Sequence, residues 1–197
     1  GHDTILVEMI SVPSEHTLDD PATRFLLALA RETIQSRLNG LPLPSPEPDD
    51  PILNETRGAF VTLKIDGRLR GCIGHVVGVA PLWRAVRDNA IAAAFEDPRF
   101  APLEADELPH THIEISALTP LQRVKYDEVM VGRDGILLEN GILRGLLLPQ
   151  VAVEYGWDRE TFLDHTCRKA GLEPGCWRHP DTVISSFSAQ VFGEEER

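Results

Sequence analysis

Cys72 lies two residues after Arg70 in the run Leu69-Arg70-Gly71-Cys72-Ile73-Gly74. The run is typical of a β-strand, on which residues two apart share a face. Arg70 would then favour the thiolate of Cys72, which is the nucleophilic form of the side chain. The competing interpretation is a small buried apolar residue, because free cysteines are usually buried. The sequence therefore leaves open a catalytic thiol and a core cysteine at this position.

Glu114 is the carboxylate that the sequence offers to the same site. It lies in a strand rich in isoleucine, where it could act as a general acid or base, or form a structural ion pair with Arg70 or Arg99. If the apolar positions of both strands face one core, Arg70, Cys72 and Glu114 project from the opposite side of the sheet. We predict these three as the catalytic group, although a bulge at Gly71 would turn Cys72 toward the apolar face.

Three further side chains are candidates for substrate binding. Arg99 could hold a carboxylate or phosphate with two N–H donors, or nearby acids could fix it to hold its own loop. Gln150 follows a proline at a helix start, where free backbone N–H groups bind anions or carbonyl oxygens, or its amide caps that helix. His75 is near enough in sequence to deprotonate Cys72, but three positions along a strand lead to the opposite face unless a bulge intervenes. A solvated loop histidine is the alternative at position 75.

His110, His112 and Glu114 recur at every second position, as zinc ligands on a strand can. Pro109 indicates that His110 still lies in the preceding loop, and solvated histidines at strand edges are common, so we assign no metal site. The chain has no phosphate-binding glycine loop, dinucleotide fingerprint, CxxC pair or Gly-x-Ser-x-Gly elbow. These absences argue against nucleotide-dependent enzymes and serine hydrolases, and no cofactor is predicted.

The composition favours one folded domain that binds neither nucleic acid nor membranes. The chain has 197 residues, of which 42% are hydrophobic, and a formal net charge of −12. Its length and hydrophobic content suffice for a sizeable core. The negative charge argues against nonspecific binding to nucleic acid or anionic lipid, because phosphate binding requires clustered cations. No apolar run approaches the roughly 20 residues of a membrane span, and no signal-peptide pattern opens the chain.

The three cysteines, Cys72, Cys167 and Cys176, show no close pairing. An odd number without pairing is typical of reduced thiols, so we predict free cysteines and a cytoplasmic protein. Cys167 falls on the apolar face of a helix, which predicts a core position. Cys176 follows a Pro-Gly pair and is expected in a loop.

Caps, turns and hydrophobic periodicity predict a mixture of helices and β-hairpins. The expected helices lie between Asp19 and Gly40, at about 81–95, at about 150–155 and from the Asp158 cap to Ala170. The expected strands are 60–65, 112–119, 136–139 and 183–191. A proline-spaced segment, residues 42–51, is too stiff for a helix or a central strand and is expected to be a loop. This mixture favours the α+β class.

A faint internal repeat relates residues 66–73 to residues 140–147. Each copy begins with a two-residue hairpin signal, Asp66-Gly67 or Asn140-Gly141, and a helix near a proline follows. We interpret the chain as two related units of a hairpin and a helix. In the second copy of the repeat, Leu146 corresponds to Cys72 of the first. This favours an apolar role for Cys72, although a functional site could be present in the first copy alone.

The hexapeptide 69–74 and several other blocks resemble the AMMECR domain family, named after a human syndrome of Alport nephritis, midface hypoplasia and elliptocytosis. The blocks occur in order between about residues 25 and 192. They are Gly58–Leu63, Leu69–Gly74, Asn89–Phe95, Asp97–Phe100, Ile113–Ser116, Gly132–Gly135, Leu146–Ala152 and Cys167–Leu172.

The resemblance implies an α+β fold of two interlocked subdomains with a cleft between them. It implies a single domain over residues 1–197, with an ordered core at about 19–192. The family's activity is not established, and its bacterial and archaeal members are associated with radical SAM and Memo-like proteins. One hypothesis is therefore an enzyme that acts on a small molecule in a cleft around Cys72. The alternative is a non-catalytic interaction domain that binds a radical SAM or Memo-like partner.

Overall fold

The computed structural model describes residues 14–195. Within this range, the α-helices are α1 (Asp20–Leu38), α2 (Leu82–Phe95), α3 (Pro149–Tyr155) and α4 (Arg159–Lys169). The strands are β1 (Ala59–Ile65), β2 (Arg68–His75), β3 (Thr111–Leu118), β4 (Gln122–Arg123), β5 (Gly135–Asn140), β6 (Leu143–Leu147), β7 (Val183–Phe187) and β8 (Ala189–Gly193). The α+β class is confirmed. The expectation about a signal peptide concerns residues outside the described range.

The helices begin and end where the sequence signals indicate. The Asp19 carboxylate caps α1 by accepting the backbone N–H of Ala22 at 3.0 Å, and Asp158 caps α4 by accepting that of Thr161 at 2.8 Å. Residues 42–50 of the proline-spaced segment form no helix or strand, as predicted, whereas Pro51, its last residue, begins a 3₁₀ turn over Pro51–Asn54. None of the helices in the described residues combines the length and the apolar character that crossing a bilayer requires.

The chain divides into two compact units. The major unit consists of residues 14–120 and 190–195, and the minor unit of residues 121–189. The major unit therefore uses two separate stretches of sequence.

The major unit is a four-stranded sheet, in the order β2-β1-β3-β8, with helices on one face. Alternate residues of β1 and β3 are fully buried against α1 and α2, because only the apolar side of each strand meets the helices. The buried residues are Val61, Leu63, Ile113 and Ile115 from the strands and Leu26, Ile34, Val86 and Ala90 from the helices. The residues between them, Phe60, Thr62, Lys64, Cys72, Glu114 and Ser116, form the opposite face, which we call the polar face. Their side chains are only partly buried.

The minor unit has its own four-stranded sheet, in the order β4-β7-β5-β6, with a separate apolar core. Ile136, Leu138 and Ile184 from the sheet pack with Phe162 and Leu163 from α4. The residues of this core are all within 121–189, so the minor unit is stabilised by contacts of its own.

The two hairpins differ at their turns. Asp66 and Gly67 both have positive φ values, 51° and 72°, between paired Ile65 and Arg68, as the Asp-Gly signal predicts. In the second hairpin Asn140 still pairs with Leu143, so the turn is Gly141-Ile142 and not Asn140-Gly141. The prediction was wrong by one residue because Gly141, with φ of 60°, takes the first turn position instead of the second.

Both hairpins use a glycine to admit a helix. Gly71 lies opposite Leu63, and a Cβ on it would overlap the carbonyl oxygen of Ala93 in α2. Gly145 lies opposite Leu138, and a Cβ on it would overlap backbone atoms of Thr166 and Ala170 at α4. The internal repeat thus corresponds to a repeated packing arrangement, in which the helix matched to α2 is α4.

The predicted strand 183–191 is two strands. β7 belongs to the minor sheet and β8 to the major sheet, and the break falls at Ser188. Val183, Phe187, Ala189 and Val191 keep a spacing of two or four residues across the break, so the sequence pattern did not reveal it, although the buried residues of β7 are Ile184, Ser186 and Phe187.

The prediction of three reduced thiols is wrong. Cys167 and Cys176 form a disulfide, with their Cα atoms 6.0 Å apart. Cys167 is fully buried in α4, as predicted, and the chain turns back through Gly171 and Gly175, both with positive φ, to place Cys176 in a short 3₁₀ turn beside it. Cys72 is left as the free cysteine.

Candidate functional site

Cys72, Thr62 and Glu114 form one row across the polar face of the major sheet. Thr62 of β1 pairs with Cys72 of β2 on one side and with Glu114 of β3 on the other. Paired residues project from the same face, so all three side chains lie opposite the helices. Cys72 is partly buried and is absent from the apolar core, which contradicts its interpretation as a core cysteine.

The Thr62 hydroxyl is the group nearest in register to the thiol. Its Oγ1 donates a hydrogen bond to Sγ of Cys72 at 3.2 Å. A hydroxyl donor stabilises negative charge on sulfur, and β-branched threonine has few rotamers, so the donor is held in place. Thr62 was not among the residues singled out from the sequence, because the pairing of β1 with β2 is what brings it to Cys72.

The backbone N–H and C=O of Cys72 are both hydrogen-bonded to one ion pair from the loop after α2. The Asp97 carboxylate accepts the Cys72 N–H at 3.0 Å, and the Arg99 Nη2 donates to the Cys72 carbonyl at 3.3 Å. Asp97 also accepts from Nε of Arg99 at 3.0 Å and from Nη2 at 2.8 Å. The peptide groups of Cys72 on the free edge of β2 are therefore fixed by residues 25 and 27 positions further along the chain.

The charges of this pair are mutually stabilised. The Asp97 side chain is only 2% exposed, and hydrogen bonds from Arg99 and from the Cys72 N–H hold the pKa of its carboxyl far below the usual range. The same hydrogen bonds from Arg99 to Asp97 raise the pKa of the guanidinium against the smaller opposing effect of burial, and the negative charge of Asp97 raises it further. Arg99 is thus held by a nearby acid, as one of its two interpretations proposed, and its side chain remains 55% exposed.

Arg70 does not follow the regular alternation that places Cys72 on the polar face. Leu63 pairs with Gly71 and Lys64 with Leu69, so Arg70 is the extra residue of a β-bulge and falls out of the alternation. Its guanidinium forms a two-point ion pair with Glu107, with Nε 2.9 Å from Oε1 and Nη2 3.1 Å from Oε2. The predicted pairing of Arg70 with Glu114 is therefore wrong. The bulge considered from the sequence, at Gly71, would have turned Cys72 toward the core; the bulge is instead at Arg70, so it displaces the arginine and leaves the cysteine on the polar face.

Glu114 has a different cation as its partner. Its Oε2 lies 3.6 Å from Nζ of Lys64, its diagonal neighbour on β1, two residues beyond the directly paired Thr62. Glu114 keeps its predicted place on the face of Cys72, about 10 Å away by two strand spacings. A small molecule lying across Thr62 would therefore meet the thiol at one end and the carboxylate at the other.

Neither His75 nor Gln150 is among the described hydrogen-bonding partners of Cys72, which are Thr62, Asp97 and Arg99. The register of β1 and β2 is regular from Gly71 to His75, so His75 projects from the face opposite Cys72 and is not placed to deprotonate it. Gln150 lies in the minor unit, exposed in the first turn of α3, a helix of seven residues.

A groove of about 680 Å³ opens at the hairpin end of the polar face. It is lined by Glu114, the end of the Cys72 row, by Lys64 beside that row, and by Arg31, Asp66, His110, His112 and Glu194 among others. Arg31 binds Glu194 with two hydrogen bonds of 2.6 Å; burial opposes the charge of Glu194, but these bonds hold its pKa below the usual range.

His110 ends a 3₁₀ turn before β3, as Pro109 indicated, whereas His112 and Glu114 lie on the strand. The regular spacing of these three residues therefore does not put them on one strand face. Within residues 14–195, no three His, Cys, Asp or Glu side chains are grouped to hold a metal ion.

Comparison with known proteins gives one consistent result. The AMMECR1 family model matches residues 27–192. A protein of Methanothermobacter thermautotrophicus is 45% identical over 182 residues, which cover 87% of this chain and 94% of that protein. A protein of Thermococcus gammatolerans is 44% identical over 192 residues, which cover 91% of this chain and 94% of that protein.

A solved structure has the same fold. The crystal structure of uncharacterized protein PH0010 from Pyrococcus horikoshii matches with a TM-score of 0.73 and 42% sequence identity, covering 90% of this chain and 94% of that one. The matches in sequence and in structure both extend over most of the chain and include the hairpin that carries Cys72. The chain belongs to the AMMECR1 family.

Proposed function

We propose that the major unit carries a thiol-dependent enzyme site for a small molecule, with Cys72 as the nucleophile. The observation that carries the proposal is the position of the thiol. Cys72 lies on the polar face of a sheet whose other face forms the core, and its sulfur accepts a hydrogen bond from Thr62. A cysteine that merely filled the core would lie on the other face.

Each neighbour of Cys72 has a separate role in this proposal. Thr62 supports the thiolate, and Asp97 with Arg99 holds the Cys72 backbone so that the sulfur is presented in one position. Glu114 carries a proton to or from the bound molecule, since it shares the face but does not touch the sulfur. Arg70 stabilises the fold around the bulge through Glu107 and takes no part in the reaction.

The groove lined by Glu114 and Lys64 supplies room for a ligand at the Glu114 end of the row, and Cys72 is not among its lining residues. Its lining is mostly charged or polar, which favours a polar small molecule over an apolar one. In the proposed reaction the sulfur of Cys72 forms a thioester bond with an electrophilic acyl carbon, and the leaving group departs with the electron pair of the bond that breaks and takes up the thiol proton. Water then hydrolyses the thioester, which releases the acid and restores the thiol.

Alkylation of the folded protein by iodoacetamide tests this proposal. The other two cysteines form a disulfide, so Cys72 is the thiol that reacts, and peptide mapping verifies the position. We expect Cys72 of the folded protein to react at neutral pH at least as fast as in the urea-unfolded chain, because Thr62 supports the thiolate. A thiol that reacts only after unfolding would contradict the proposal.

A non-catalytic interaction domain is the second candidate. Val77 and Val79 lie just after the Cys72 strand and are 40% and 84% exposed, in a loop fixed where Gly78 packs against the backbone of Arg57. Exposed apolar residues on a fixed loop are suited to binding a partner protein, here one of the radical SAM or Memo-like class. Under this hypothesis, Val79→Ser would abolish co-purification with such a partner, whereas Cys72→Ser would not.

A further inference from the structure

We propose that Arg99 selects anionic substrates for Cys72, so that the site takes a small electrophile whose reactive carbon lies next to a carboxylate. The inference rests on the proposed function and names the substrate class of the same site.

The first observation is the unused hydrogen-bonding capacity of Arg99. Its Nε and Nη2 donate to Asp97 and to the Cys72 carbonyl. Its Nη1 has no hydrogen-bond acceptor among residues 14–195, and more than half of the side chain is exposed. The guanidinium therefore keeps the N–H donors of Nη1, which can donate to an oxygen of a bound carboxylate.

The second observation is the fixed position of that guanidinium beside the nucleophile. Nη2 is 3.3 Å from the carbonyl oxygen of Cys72, and Asp97 joins the two residues through the Cys72 N–H. The Phe100 ring also lies against the guanidinium, 5.5 Å from its central carbon. An anion that binds Arg99 therefore stays next to the thiol and does not swing with a flexible side chain.

The neighbouring cations are less suited to this role. Arg70 is held by Glu107 at two points, and Lys64 faces Glu114 at 3.6 Å on the polar face. The counterion of Arg99 differs from these, because the Asp97 carboxylate is only 2% exposed and also accepts the Cys72 N–H. In a chain with a net charge of −12, Arg99 is thus the positive group that an anionic molecule approaching Cys72 would meet.

Iodoacetate and iodoacetamide form a matched pair of probes for this inference. In both reactions the sulfur of Cys72 forms a bond with the methylene carbon, iodide leaves with the electrons of the broken C–I bond, and the thiol proton goes to solvent. The two reagents differ chiefly in the negative charge of iodoacetate. The ratio of their alkylation rates therefore reports the field beside the thiol, and the same ratio in the urea-unfolded chain is the reference.

We expect the iodoacetate preference of the folded protein to exceed that of the unfolded chain by about threefold or more, since a nearby cation raises the local concentration of an anion. Arg99→Gln should reduce the ratio to the unfolded value. Arg24→Gln, which removes an equal charge from an exposed position on α1, on the opposite side of the sheet, should leave it unchanged. High salt, about 1 M, should abolish the preference of the wild-type protein through screening.

Other results would overturn the inference. Equal ratios in folded and unfolded protein, a preference that survives high salt, or a preference kept in folded Arg99→Gln would each exclude Arg99 as the selecting group. The salt measurement needs no variant, so it holds even if Arg99→Gln fails to fold. If Cys72 reacts with iodoacetamide but shows no preference, the anionic substrate class is wrong and the enzyme proposal stands. If folded Cys72 reacts with neither reagent, both the anionic substrate class and the enzyme proposal are wrong.

Discussion

Arg70 and Glu107 form a two-point ion pair, 37 residues apart in sequence, at the bulge next to Cys72. The hydrogen bonds from Arg70 hold the pKa of Glu107 below its usual range. A carboxyl with a lowered folded-state pKa stabilises the protein above its unfolded pKa, and this contribution is lost as the pH falls. The ion pair therefore contributes at neutral pH and fades in acid.

We predict that Glu107→Gln lowers the free energy of unfolding at pH 7, and that the difference from wild type shrinks as the pH falls below about 4.5. Urea unfolding between pH 7 and pH 3 measures this. Asp106→Asn, an exposed neighbour without a resolved ion pair, is the control and should shift stability little at any pH. A difference that stays constant or grows in acid would contradict the pairing.

Thr62→Val should slow alkylation of Cys72. The substitution keeps the β-branched shape and removes the hydroxyl that donates to sulfur. Hydrogen bonds to charged groups are worth about 1.5–3 kcal/mol, and the greater nucleophilicity of a more basic thiolate offsets part of that loss, so we expect the rate of iodoacetamide alkylation at neutral pH to fall by about threefold or more. Ser116→Ala removes a hydroxyl from the same face and should leave the rate unchanged. Equal alkylation rates for wild type and Thr62→Val would show that the Thr62 hydroxyl does not support the Cys72 thiolate.

Gly71→Ala should destabilise the major unit by about 1–3 kcal/mol, because its Cβ would overlap the Ala93 carbonyl oxygen and force α2 away from the sheet. The displacement should also change the alkylation rate of Cys72, since Asp97 follows α2 directly. Gly67→Ala is the matched control. It has a positive φ of 72° but open space around it, so it should cost about 1 kcal/mol and leave Cys72 alkylation unaltered. Urea unfolding of both variants, with alkylation rates, tests the difference.

Reduction of the Cys167–Cys176 disulfide should destabilise the minor unit by about 2–3 kcal/mol, the loop entropy expected for a short loop. Hydrogen exchange with and without dithiothreitol measures the effect, in a Cys72→Ser background that prevents thiol exchange. Backbone amides of α4 should lose protection upon reduction, whereas those of β1 and β3 should keep theirs. Unchanged protection of α4 in the reductant would show that the disulfide adds nothing to the fold.

The sequence by itself determined the features that depend on near neighbours. Asp19 and Asp158 mark helix starts, Asp66-Gly67 marks the first hairpin turn, and the alternation around Ile113 marks a strand with one buried face. Caps and turns involve residues a few positions apart, and alternation follows from the geometry of one strand. For the same reason alternation put Cys72 and Glu114 each on the side of its own strand away from the apolar residues, and the register shows that both strands belong to one sheet.

Only the tertiary structure decided which side chains meet. The partners of Arg70, Cys72 and Glu114 are Glu107, Asp97 and Lys64, and each pairing depends on how distant segments are brought together. One extra residue at the bulge moved Arg70 away from the cysteine, and alternation alone cannot indicate where a strand gains a residue. The break at Ser188 and the Cys167–Cys176 disulfide likewise depend on which sheet or helix a segment joins. A local pattern shows that a residue is buried or exposed, but the three-dimensional packing alone determines its neighbour.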